Sequence, residues 1–314
     1  MKPIAGRRAV VIGAAGFIGR RLARHLASAS AETIAFVRPE HDVASLAASG
    51  IEIVRGDAAS VSDLARMLRP NDVVFALAGA SGAAASFADP AANLTANCFP
   101  LLALLETAAT LEPRPRIVFT GSRLQYGRVG DVRVAEDHEL RPTSPYGIHK
   151  VFCEGYLELY RERFGIPYAV ARLTNPYGGD GRPSRPYNVL DQIIARAVRQ
   201  EKVTIFGDGS QLRDYIHIDD VVKALVLLSE REESLIVNIG SGTAISFRNA
   251  VERIVLRTGS MLDYAEWPPE MLAVETGSFI ANIDRARAIG FTPTIEFDDG
   301  IMRSIEAFSR SVQT

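Results

Sequence analysis

The chain has 314 residues, of which 47% are hydrophobic and 23% charged, with a formal net charge of −2. That length supports one large α/β domain or two lobes, and the charge gives no general reason to expect nucleic acid or an anionic membrane as a partner. Two cysteines, Cys98 and Cys153, exclude a disulfide framework and a tetrahedral zinc site. Both lie in apolar, helix-like surroundings and read as small buried side chains, with Cys153 close enough to Lys150 for an active-site role. MKPIAGRR runs straight into strand-like sequence, and no apolar run is long enough to span a bilayer. A soluble, cytoplasmic protein is expected.

In chain order, Arg8–Gly13 reads as a short buried strand and Phe17–Ser28 as an amphipathic helix. Thr33–Val37, Ile51–Val54 and Asp72–Leu77 read as strands, Ala91–Leu111 as a long helix and Arg116–Thr120 as the next strand. Ser144–Phe164 reads as a second long helix, and Pro167–Leu173 closes the series. Strands separated by helices imply right-handed crossovers and a parallel, doubly wound sheet. From Thr174 the pattern loosens. Asn175–Pro186 holds three Gly and three Pro, which marks an exposed functional loop. Tyr187–Arg199 is helical in period, Val203–Phe206 a short strand, and Asp219–Ser229 a helix with Asp219 as its cap. Leu235–Ile239 is strand-like and could rejoin the main sheet, and Gly242–Thr314 mixes short helices with turns.

Tyr146 and Lys150, in SPYGIHK, stand four residues apart on one helix face. A phenol is a poor base at neutral pH, but an adjacent ammonium and a second cation favour the phenolate. The pair reads as an acid/base device for a sugar or alcohol oxygen. Gly13-Ala-Ala-Gly16-Phe17-Ile18-Gly19 follows the first strand and opens the first helix. In that context glycines let the backbone approach a pyrophosphate, and the helix N-terminus supplies N–H groups and partial positive charge.

GAAGFIG, TGSRLQYG, YGIHK, RLTNPYG and GDGSQLRDYIHIDDV, in that order, resemble an extended short-chain dehydrogenase/reductase of the nucleotide-sugar epimerase/dehydratase/reductase group. The resemblance runs from Val10 to about Gly300. It implies a Rossmann-like fold with a smaller C-terminal lobe. Residues 1–174, with about 219–240, would bind the dinucleotide, and 175–218 with 241–314 the nucleotide sugar.

The resemblance implies a trio of Ser122, Tyr146 and Lys150. Ser122 would hydrogen-bond the reacting oxygen, Tyr146 would exchange the proton, and Lys150 would favour the phenolate and hold the nicotinamide ribose. Dehydratases of the group carry Asp-Glu directly after the Ser/Thr, where this chain has Arg123-Leu124, so 4,6-dehydration is disfavoured. Arg123, Leu124 and Gln125 offer no extra base for C–H deprotonation, which leaves hydride chemistry at a C–OH/C=O centre. NAD-preferring relatives place an acid at the end of the second strand, where this chain has Val37 followed by Arg38. A guanidinium matches a 2′-phosphate, and Arg20 could add a second contact, so NADP(H) is favoured over NAD(H). The alternative is a solvated Arg38 with NAD held by backbone groups.

Asp57, with Ala58, resembles the adenine-contacting position; Ala78 and Gly79 occupy the segment under the cofactor; Asn97 matches a structural Asn. On the substrate side, Asn175 and Arg213 resemble sugar-diphosphate contacts, Asn188 and Val189 open the helix beside the nucleotide, and Phe206 ends the strand along the base. His217 reads as structural, and Asp219-Asp220 as a helix cap without a metal. Three functions follow: an NADPH-dependent reductase of a nucleotide-bound 4-keto sugar, an NAD-dependent 4-epimerase, and a non-catalytic nucleotide-binding relative. An intact trio speaks against the last, and reduction is favoured over epimerisation. Relatives often pair their two long helices into a homodimer, although core packing within one chain would explain those apolar faces equally well.

Overall fold

Residues 9–12 and Val73–Ala76 are apolar on both faces, as strands covered by helices on both sides must be. In the computed structural model, which describes residues 3–29, 31–130, 133–181 and 188–312, they lie at the centre of a seven-stranded sheet. Its order is Leu235–Ile239, Tyr168–Leu173, Arg116–Ser122, Val73–Ala76, Arg8–Ile12, Glu32–Val37, Glu52–Arg55. The Arg8–Ile12 strand pairs in parallel with both Glu32–Val37 and Val73–Ala76. Strand order reverses between Arg8–Ile12 and Val73–Ala76, which opens a crevice at the carboxyl ends of the strands. Leu235–Ile239 joins this sheet as its edge strand.

The chain divides into two compact units. The first comprises Met1–Gly127, Glu139–Arg172 and Val222–Val237, and the second Arg128–His138, Leu173–Val221 and Asn238–Thr314. Val10, Ile12, Phe36, Leu104, Phe119 and Leu157 belong to the first unit's core. Its two long helices, Pro90–Ala108 and Pro145–Phe164, pack on each other. Both open on a side-chain cap followed by proline. Asp89 accepts from the Ala92 N–H at 2.9 Å and Ser144 from the Gly147 N–H at 3.2 Å.

The second unit is built on short pairs. Asn175–Tyr177 runs parallel to Tyr215–His217, Val203–Phe206 parallel to Leu262–Ala265, and Leu212–Arg213 antiparallel to Ile245–Ser246. The helices Val189–Val198, Phe247–Thr258 and Phe297–Val312 enclose a core that includes Ile194, Ile205, Ile254, Ile301 and Phe308. The last two are longer than the short helices expected after Gly242. Their spacing (Ala250, Val251, Ile254; Ile301, Ser304, Phe308) buries one face of each.

The segment Arg128–His138, expected with the dinucleotide-binding residues, groups with the second unit. The helix expected from Asp219 begins at Ile218, so Asp219 lies in its first turn. Asp220 is fully buried and accepts from Thr294 N and Oγ1 and Ile295 N at 2.8–2.9 Å, stapling that turn to the helix start. Tyr187 and residues 182–186 of the expected loop lie outside the described residues.

Candidate active site

The glycine loop is shaped by two close approaches. Gly13 adopts φ +90°, and a Cβ there would stand 2.8 Å from the Ala78 nitrogen. A Cβ on Gly19 would stand 2.2 Å from the Gly13 carbonyl oxygen, so the first helix packs directly on the loop. Gly16 is the N-cap of Phe17–Ser28, with no side-chain cap and no acid in the first turn. Helix N–H groups without a capping side chain, beside a loop with no room for side chains, fit a pyrophosphate. Phe17, Ile18 and Gly19 form that first turn.

Ser122 ends its strand and caps the 3-10 turn Arg123–Gln125. Its Oγ accepts from the Leu124 N–H at 3.2 Å, and its own N–H donates to Gln125 Oε1 at 2.7 Å. With the oxygen engaged as acceptor, the Ser122 O–H remains to donate elsewhere. The Gln125 contact was not expected, although Ser-x-x-Gln is the capping-box spacing that could have revealed it.

Tyr146 lies in the first turn of the Pro145–Phe164 helix, its N–H donating to Ser86 Oγ at 3.2 Å. Lys150 Nζ lies 5.7 Å from the Tyr146 ring centroid and 4.5 Å from that of Phe119. Lys150 is 4% exposed; its ammonium lies over the Phe119 and Tyr146 rings and makes no hydrogen bond or ion pair to any described residue. A buried ammonium normally has acceptors. The Tyr146 hydroxyl beside it likewise has no hydrogen bond among the described residues, and the pair could hold hydroxyl oxygens of a ribose.

Gly147 draws this helix toward Ser122, since a Cβ there would stand 2.6 Å from the Leu124 carbonyl oxygen. Beneath lies a buried cluster that sequence reasoning missed. Arg172 donates to both Glu154 oxygens, at 3.0 and 2.6 Å, and to the Tyr126 hydroxyl at 2.8 Å. Burial lowers the Arg172 pKa, but Glu154 and Tyr126 outweigh it and hold the guanidinium above its usual value. Glu154 sits on the Tyr146 helix and Tyr126 just after the Ser122 turn, so Arg172 ties the two together.

Val37, where an acid would mark NAD preference, is buried. The Arg38 side chain is 60% exposed, with Glu40 as a loose partner at 4.0 Å. Arg20 is not a second phosphate contact in this arrangement. It is buried and donates to Ser45 Oγ and to the carbonyls of Asp42 and Ala15. Exposed Asp57 accepts from the Ala59 N–H at 3.0 Å, and Ala58 packs on the core. Gly79 passes over Asn97, where a Cβ would meet Oδ1 at 2.6 Å; Asn97 Nδ2 donates to the Ala80 carbonyl at 3.0 Å. Asn97 thus supports the loop from below. Cys98 and Cys153 are buried with their sulfurs 3.9 Å apart, facing the carbonyls of His149 and Asn97.

In the second unit, Asn175 Nδ2 donates to the Asp214 carbonyl at 2.9 Å. Asn188 caps the helix that starts at exposed Val189, with Oδ1 and Nδ2 both bonded to Asp191. Phe206 lies 6.1 Å from the Trp267 ring centroid. Arg213 is buried and ion-paired with Glu275. His217 packs edge-on against Tyr177 at 5.4 Å, and its Nδ1 accepts from the Asp219 N–H at 3.2 Å. Asp214 was missed: its buried carboxylate gathers Ser241 N and Oγ, Gly242 N and Ala281 N. Among the described residues no group of three or more His, Cys, Asp or Glu could hold a metal ion, and no helix is long and apolar enough to cross a membrane.

Residues 9–240 match the family described as NAD dependent epimerase/dehydratase. The chain belongs to this family. It is an extended short-chain dehydrogenase/reductase, the group its motifs resemble. A UDP-glucose 4-epimerase of Mycolicibacterium smegmatis is 29% identical over 98% of this chain and all of its own length. A dTDP-4-dehydro-6-deoxy-D-allose reductase of a Streptomyces species is 30% identical over 77% of this chain and 78% of its own. The structure of a UDP-glucose 4-epimerase of Thermotoga maritima with UDP-glucose superposes with TM-score 0.89 at 26% identity, over 97% of this chain and 99% of that one. Family members of both kinds, epimerases and reductases, are thus among its relatives.

Proposed function

We propose that this enzyme transfers a hydride at C4 of a nucleoside-diphosphate hexose, as an NADPH-dependent 4-keto-sugar reductase. The observation that carries the choice is the end of the second strand: buried Val37 offers no acceptor for a ribose diol, and the exposed Arg38 guanidinium suits a 2′-phosphate. Gly13, Gly16 and Gly19 with the first helix turn hold the pyrophosphate, Asp57 and Ala58 the adenosine, and Ala78 and Gly79 line the cofactor. Bound NADPH supplies the hydride. Tyr146 gives its proton to the C4 oxygen, Ser122 hydrogen-bonds that oxygen, and Lys150 offsets the charge left on the phenol and holds ribose hydroxyls. The cofactor is assigned to residues 1–174 with about 219–240. The sugar nucleotide is assigned to 175–218 and 241–314, with Asn175, Asn188, Val189, Phe206 and Arg213 as contacts and Arg123 beside the sugar.

A 4-epimerase with retained NAD is the second reading, favoured by the full-length likeness to epimerases. The two differ in cofactor content. A reductase is purified without stoichiometric NAD and oxidises NADPH on 4-keto sugar nucleotides; stoichiometric bound NAD with no NADPH oxidation overturns the reductase reading. The same proposal places the enzyme in the cytoplasm as a homodimer joined through its long helices, on which Phe99, Ile148, Phe152 and Leu159 are exposed.

A further inference from the structure

Arg213, the residue assigned to the diphosphate, already has an anion. Its Nη1 donates to the carbonyls of Leu212 and Gly277, and its Nη2 to Glu275 Oε1. The same carboxylate oxygen accepts from the Gly277 N–H at 2.9 Å, and the Glu275 carbonyl accepts from Arg128 Nε at 3.1 Å. The guanidinium therefore sits in a collar formed by 275–277. Its side chain is 9% exposed and that of Glu275 is 22% exposed. A guanidinium has five N–H donors. Three are used, which leaves Nε–H and one Nη2–H for a ligand. A phosphate that takes these two lies beside the Glu275 carboxylate, where reduced solvent screening strengthens the repulsion between the two anions.

We propose that Glu275 is an internal competitor of the substrate's diphosphate. It shares Arg213 with the phosphate that takes the two remaining donors, stays beside that phosphate, and opposes it by charge. Glu275 is thereby a determinant of nucleotide affinity in a chain whose proposed reaction releases a nucleotide-bound product every turnover. The inference rests on the reading that Arg213 binds the diphosphate of a sugar nucleotide. It predicts an effect confined to ligands that carry the phosphates, because the carboxylate acts by charge and by sharing one guanidinium.

The test is calorimetric titration of the full chain with UDP, dTDP and GDP and with the corresponding nucleosides. Glu275→Gln keeps an acceptor for the Gly277 N–H and removes the charge. It is expected to tighten the preferred nucleoside diphosphate about fivefold, the upper end for a partly exposed charge pair, and to leave the nucleoside unchanged. Glu275→Ala should shift affinity in the same direction. Equal shifts for diphosphate and nucleoside, or no tightening of the diphosphate, overturn the competitor role. Arg213→Gln separates this from the underlying reading. If it weakens the diphosphate while Glu275→Gln changes nothing, Arg213 is the phosphate ligand and Glu275 only its structural partner. If Arg213→Gln binds diphosphate like the unaltered protein, or no nucleoside diphosphate binds either protein, the assignment of Arg213 fails and the competitor role with it.

Discussion

Three positions decide the site one atom at a time. Tyr146 is the only proposed proton donor, so Tyr146→Phe should lower turnover by about 10²- to 10⁴-fold while NADPH binding, measured by calorimetry, is retained. Substantial residual activity would remove the acid/base assignment. Gly147 matters through what it lacks. A Cβ would press on the Leu124 carbonyl at 2.6 Å and on Pro142 Cβ at 2.8 Å. Gly147→Ala is expected to push the Tyr146 turn away from Ser122 and lower kcat by about 10²-fold, with cofactor affinity little changed. Gly19→Ala acts at the other end, where 2.2 Å to the Gly13 carbonyl leaves no space; NADPH binding should be lost in the same titration. The placement of Tyr146 and Lys150 on one helix, and of the glycines in one loop, was legible because local spacing carries it. The packing of Phe119 on Lys150 was not, since it depends on another element.

At the scale of elements, buried charge links the pieces. Arg172 joins Glu154 to Tyr126 with both charged groups almost fully buried. Arg172→Met should cost about 3–5 kcal/mol in urea unfolding because it leaves the Glu154 carboxylate buried alone, and adding Glu154→Leu should recover part of that loss. Asp191 gives a pH signature. Burial pushes its carboxyl up to about 6 from 3.8, against hydrogen bonds from Gly178 and Asn188. Between those values the unfolded chain is ionised while the folded one keeps its proton, so stability falls as pH rises from about 4 to 6, by about 3 kcal/mol in all. Asp191→Asn should remove that difference between unfolding curves taken at pH 4 and pH 7. Asn188 and Asp191 are adjacent enough for a cap to be read from sequence; Arg172 and Glu154 are not.

The molecule as a whole has two compact units with separate cores, and the first carries an exposed apolar helix face at Ile148, Phe152 and Leu159. These residues repeat at helical spacing, so one flat stripe faces outward rather than scattered single side chains. If that stripe joins two copies, sedimentation should give a dimer for the unaltered protein and a monomer for Leu159→Glu. A monomer in both cases would assign the stripe to something other than self-association.

Sequence by itself determined the alternating strand and helix pattern, the glycine loop, the Tyr146–Lys150 pair and the family, because each is written in local period or in motif order. The edge strand Leu235–Ile239 was legible as a strand for the same reason. Tertiary structure decided what needs partners distant in the chain. It turned Arg20 from a cofactor candidate into a clamp on Ser45 and Asp42, and Asp220 from a cap into a staple on Thr294. It moved Arg128–His138 into the second unit, and it placed a carboxylate on Arg213. For Arg20, Asp220 and Arg213 a charged side chain gave up water for acceptors or donors contributed by other segments, and only the folded chain specifies which segments those are.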